Sequence, residues 1–261
     1  MKKYIAYPLL GLLIIISWYL TYRYTGFSLI LIVCAGLIIA YSIASYWIEN
    51  KKCFINCYFK QTSLLSRILS SKILLILIAF CIAFVVTIFL FTSVTTWSID
   101  IWAVMIIDIV VLTILHKTIT KIFRTTLKDE IGSHLVKSWS VGINTFVLTM
   151  FMLFYNYNTL EEPSYIKNTL KGSVQEATKS YASDSELINT FVKLNIEKDA
   201  IVWYSALYTN EKINNEDARW LLWMFFLING GIVYYGFSRF FIEFIAFDLE
   251  KFTKSSNENR N

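Results

Sequence analysis

One carboxylate stands where a carboxylate is least welcome. Asp108 lies near the middle of SIDIWAVMIIDIVVLTILH (98–116), a run long and apolar enough to cross a bilayer. At 1.5 Å of rise per residue it sits roughly 10 Å from the inner end of that run. An ionised carboxylate at such depth costs at least ~2.5 kcal/mol on insertion scales. It must face a protein interior, take a proton, or pair with a polar group. Two roles fit: a station on an ion or proton pathway, or a structural carboxyl hydrogen-bonded across helices. Ser140 and Asn144, spaced i, i+4 in the next apolar run, share one helix face and are the expected partners. Thr145 and Thr149 follow on the same run. Asp108, Asn144 and Ser140 therefore form a candidate intramembrane polar site.

Two other groupings could do physical work. Asn229, Gly230 and Gly231 interrupt the last apolar run, where a glycine pair permits close helix packing or a hinge. Arg239 and Glu243, also i, i+4, lie near the expected inner interface and read as an ion pair that anchors the helix there. His116 and His134 are the only histidines and are not on a metal-ligand spacing. Cys53 and Cys57 are four apart but lack a second ligand pair, which argues against zinc. Cys34 and Cys81 fall inside apolar runs as small core residues. No HExxH, GxSxG, P-loop or GxGxxG occurs. Asp100 and Asp108, eight apart, are separated by about 80° around a helix, too loose for a catalytic dyad. The expectation is a protein with no catalytic residues, no metal and no cofactor.

The elements that must position these residues are apolar helices. The chain is 56% hydrophobic and 16% charged, with a mean hydropathy of +0.53. Six runs, at about 4–20, 26–47, 73–94, 99–115, 139–155 and 220–237, are continuous rather than alternating, so helices are expected and a β-barrel is not. The fold class is an all-α polytopic transmembrane bundle of about six spans. The run around Asp108 is expected at its centre. A small helical insertion outside the cytoplasm separates helices five and six. Four regions follow: a five-helix membrane part (1–156), a two-helix extracytoplasmic segment (157–218), the sixth helix with an inner interfacial extension (219–247), and a disordered tail (248–261).

Polar segments refine the picture. Loop 49–72 carries five Lys or Arg, and Leu64, Leu65, Ile68 and Leu69 within it suggest a surface helix. Loop 117–137 also carries five, with an apolar stripe at Ile119, Ile122, Phe123, Leu127 and Ile131 that should prolong the fourth helix until Gly132. The long segment before the last helix holds six Lys against ten Asp or Glu through Asp217. Within it, Ile166, Leu170, Val174, Ala177 and Tyr181 mark one amphipathic helix. Ser183 and Glu186 look like a capping box for a second, carrying Leu187, Ile188, Phe191, Val192 and Leu194. Asn215 is the expected N-cap of the last helix. Lys and Arg concentrate on one side of the expected bundle, so both termini are expected in the cytoplasm of a cell (inner) membrane. The net charge of +5 is explained by the bilayer and not by nucleic acid.

The motifs resemble no known family. The expected function is that of a non-enzymatic membrane subunit or scaffold. It would bind a protein partner through the extracytoplasmic segment and the basic loops; the expected partners are the lipid bilayer and a protein partner or a homo-oligomer. The alternative is a channel or small carrier with Asp108 in its pathway.

Overall fold

A computed structural model describes residues 6–24, 27–58, 71–125, 129–159, 163–179, 185–212 and 216–258. Among them every element is an α-helix: α1 (Ala6–Thr21), α2 (Phe27–Tyr58), α3 (Lys72–Val94), α4 (Ile99–Arg124), α5 (Asp129–Thr159), α6 (Leu170–Lys179), α7 (Glu186–Lys212) and α8 (Glu216–Glu258). Among the described residues, four stretches are long and apolar enough to cross a membrane: Phe27–Asn50, Lys72–Val94, Ile99–Phe123 and His134–Asn156. The apolar part of α1, Tyr7–Thr21, is shorter.

The centre of the bundle is α8, not α4 as the sequence suggested. α8 packs on α1, α2, α3, α4, α5 and α7. Residues 236–242 are all buried, so here the helix is covered on every side. Phe237, Phe240 and Phe241 supply much of that packing, with Phe237 and Phe241 centroids 4.5 Å apart. α4 lies to one side, chiefly against α5 and α8. Its outer face of Ile106, Ile107, Val110, Val111 and Ile114 is exposed. Its inner face of Met105, Asp108, Ile109, Leu112, His116 and Ile119 is buried, at helical spacing.

Helix ends follow from local chemistry. Ser98 caps α4 by accepting a hydrogen bond from the Ile101 amide. In the tight turn between α3 and α4, the amides of Thr95, Thr96 and Trp97 donate to the carbonyls of Thr92, Ser93 and Val94. The remaining orphan carbonyl of that end, on Phe91, accepts from Trp18 Nε1 at 2.7 Å, which ties α1 to α3.

Several boundaries differ from the sequence reading. α2 continues through Cys53 and Cys57 to Tyr58, so part of loop 49–72 is helix. α4 ends at Arg124 with Thr125 as C-cap, and α5 opens at Asp129, so Gly132 is inside a helix rather than a stop. α8 runs to Glu258, where a disordered tail was expected. Apolar periodicity across 119–131 did not reveal that break. The surface helix at 64–69, the Ser183 end of the capping box, Tyr181 and the Asn215 cap lie outside the described residues. On α7, Ile188 and Val192 are buried as expected, whereas Leu187 and Leu194 face outward.

Among the described glycines, Gly236 of α8 leaves the least room for a Cβ. A Cβ there would stand 2.7 Å from Val86 Cγ1 and 3.3 Å from the Val86 carbonyl oxygen. Gly236→Val should lower stability by about 3 kcal/mol through overpacking, and Gly236→Ala by less because alanine favours helix. Thermal unfolding in detergent checks this: a Gly236→Val protein as stable as wild type contradicts the close packing.

Candidate functional site

The seam between α4, α5 and α8 holds a group of buried polar side chains. Asn144 on α5 is its hub. Its amide nitrogen donates to Asp108 Oδ2 on α4 at 2.9 Å and to Ser238 Oγ on α8 at 3.0 Å. All three residues are buried. The expected Asp108–Asn144 pairing is therefore present. Ser140 is buried one turn away but pairs elsewhere. Its hydroxyl donates to the Val136 carbonyl at 2.7 Å, leaving the oxygen to accept from His116 Nδ1 at 3.1 Å. Because Ser140 has one hydrogen to give, His116 carries its proton on Nδ1.

Below this lies a charged layer. Glu243 pairs with Lys137 of α5 at 3.0 Å, and both are largely buried. The Arg239–Glu243 pair read from the i, i+4 spacing does not form. Arg239 instead donates through Nε to Tyr235 Oη at 3.0 Å and through Nη2 to Ser138 Oγ at 3.2 Å. Its guanidinium also stands over the rings of Tyr46 and Tyr235. Arg239 Nη1 and Glu243 Oε1 are buried with no hydrogen-bond partner among the described residues. A cross-helix partner at the right height outcompeted the neighbour one turn away.

Gly230 and Gly231 lie within unbroken helix. A Cβ at Gly231 would meet Thr149 of α5 at 3.9 Å, an ordinary contact. A Cβ at Gly230 would meet the ring of Tyr234, on the same helix, at 2.9 Å. Close packing on another helix is found instead at Gly236, which the sequence reading passed over.

Above Thr149, at the end marked by the α3–α4 turn, the seam opens into a cavity of about 370 Å³. Thr149 of α5 and Asn229 of α8 line it, together with Asp100 of α4 and Asp199 of α7. Asn229 Nδ2 donates to Asp199 Oδ1 at 3.0 Å. Lys198 is 3.5 Å from the same carboxylate, donates to Asn195 Oδ1 at 2.6 Å and lies over the Phe89 ring. Asn195 in turn reaches Ser93 of α3. Burial pushes the Asp199 carboxyl up, against the pull of Lys198 and Asn229. Burial likewise pushes the Lys198 ammonium down.

Sequence reasoning missed Ser238, His116, Lys137 and the Asn195–Lys198–Asp199 group. The signal for the last was present. Asn195 and Asp199 share the stripe of Ile188, Val192 and Ile196 that faces the bundle, so polar residues on an apolar face were legible. Among the described residues, no group of three His, Cys, Asp or Glu could hold a metal ion. Compared with known protein families, curated proteins and solved structures, the chain matches none.

Lys137→Met strands the Glu243 carboxylate and should cost about 3–5 kcal/mol. Adding Glu243→Gln should recover most of that loss. A double-mutant cycle of thermal stabilities checks it, and purely additive losses exclude the pair.

Proposed function

We propose that this is a non-enzymatic multi-pass membrane protein that handles a small cation or proton along the α4–α5–α8 seam. One observation carries the reading: the cavity at one end and the Asp108–Asn144–Ser238 cluster lie on the same three helices. Thr149, on the cavity wall, is five residues from Asn144, roughly 7.5 Å along α5. The solute reading gains because α7 does not project as a free binding module. It packs on α3 and α8 and covers the cavity.

In this proposal α1 and α8 also cross, giving six spans. The positive loops place both termini in the cytoplasm of the cell membrane, with the cavity facing outward. Asp108 is the deep cation or proton station, Asn144 and Ser238 orient it, and the Lys137–Glu243 layer closes the inner side.

Reconstituted into liposomes, the protein should raise proton or monovalent cation flux at least tenfold over empty vesicles. Asp108→Asn should remove most of that increase while keeping the same gel-filtration profile. Wild-type flux at the empty-vesicle level, or an Asp108→Asn flux equal to wild type, overturns the reading.

A second reading, a scaffold, is favoured by one separate feature. Leu187, Leu194, Ile201 and Tyr208 are exposed on α7 at intervals of seven, a stripe fit for a partner helix. Here Leu194→Lys with Ile201→Lys should abolish copurification of a partner protein in mild detergent. An unchanged set of partner bands rules out this use of the stripe.

A further inference from the structure

The walls of the outer cavity specify more than a pathway entrance. Five aromatic side chains line it: Trp97, Tyr155, Tyr165, Trp203 and Tyr234. Two carboxylates, Asp100 and Asp199, share the wall, and among the described lining residues there is no Lys, Arg or His. Lys198, outside the lining, lies 3.5 Å from Asp199 and is also engaged with Asn195 and the Phe89 ring, so Asp100 carries the lining charge that no described lysine pairs. Aromatic faces and carboxylates both attract positive charge, and rings also take up apolar groups. No group of three His, Cys, Asp or Glu that could hold a metal ion occurs among the described residues. At about 30 Å³ per water, the cavity of about 370 Å³ has room for roughly a dozen waters' volume. That suits a ligand with one ring or a short chain.

We propose that this cavity binds a small organic cation, an ammonium group carrying an apolar substituent. The substituent lies against the tryptophan and tyrosine rings, and the ammonium lies between Asp100 and Asp199. Asn229 holds Asp199 in place through its amide. The inference deepens the cation reading above and rests on it for the direction of access, but binding is measurable without flux.

The test is calorimetric titration of the full chain in phosphatidylglycerol nanodiscs. The probes are benzyltrimethylammonium, benzyl alcohol as a neutral ligand and benzenesulfonate as an anion. Saturable one-site binding of the cation is expected, at least tenfold tighter than either other probe. Asp100→Asn with Asp199→Asn should weaken it tenfold or more, and Glu186→Gln, an exposed charge elsewhere on α7, should not. Should the double variant fail to fold, Trp203→Ala is expected to show the same loss. Absence of saturable cation binding overturns the proposal. So does equal binding of the sulfonate or alcohol, or full affinity in a well-folded double variant.

A free amine and a choline headgroup share this chemistry. Phosphatidylcholine nanodiscs separate them, because a headgroup ligand competes with the probe there and a free amine leaves its affinity unchanged. The two proposals fail separately. Loss of probe binding with Asp108-dependent flux intact removes the ligand class alone. Probe binding without Asp108-dependent flux removes the pathway and leaves a receptor site.

Discussion

The amide of Asn144 holds a carboxylate of α4 and a hydroxyl of α8 at the same time. In an apolar bundle that geometry is a strong constraint. A buried polar group left without a partner loses its full solvation, on the order of 1–3 kcal/mol and more for a charge. Asp108, Asn144 and Ser238 must therefore stay at one level, which fixes the axial register of three helices. Lys137 and Glu243 repeat the constraint between α5 and α8 nearer the other end. His116 and Ser140 join α4 to α5 between them. Apolar packing alone would permit sliding, since one leucine-sized contact can replace another. Directional hydrogen bonds do not allow it.

This register depends on α8 being enclosed. Residues 236–242 are buried on all sides, and Gly236 lets Val86 of α3 approach to a distance no side chain would tolerate. On the opposite flank, Phe241 and Phe244 stand where a Cβ on Gly11 of α1 would meet them at 3.0 and 3.2 Å. Small residues on two helices thus admit bulky ones on their partners, which is how helices associate where lipid is as apolar as the protein. α4, by contrast, shows half its surface outward and contributes one polar face. The helix that carries Asp108 is a wall of the seam, and α8 is its axis.

The cavity arises from the same arrangement. α7 lies across the end of α3 and α8 with Ile188, Val192, Ile196 and Ala200 inward. Its polar residues Asn195 and Asp199 then fall where Ser93 and Asn229 can meet them. The segment between the last two long helices of the bundle is therefore built into the wall of the cavity. Its carboxylate Asp199 is part of that wall, held by Asn229 of α8.

Much of this was readable from residue order. Continuous apolar runs fixed helix as the element type, because a bilayer or a buried core leaves backbone groups no partner but their own chain. Asp108 was recognisable as anomalous, and Asn144 as its partner, because depth and helical phase are one-dimensional quantities. The pairings of Ser140 with His116 and of Glu243 with Lys137 were not readable. Neither was the central place of α8. Each depends on which helices become neighbours and at what height, and a residue four positions away is always available in the sequence as a rival partner. Arg239 and Glu243 show the difference: their spacing allowed a pair, and the packing of α5 against α8 gave each a different one. The sequence by itself determined the helices and the odd polar residues within them. Tertiary packing decided which of those residues meet, because contact between helices is a matter of azimuth and register that no single run encodes.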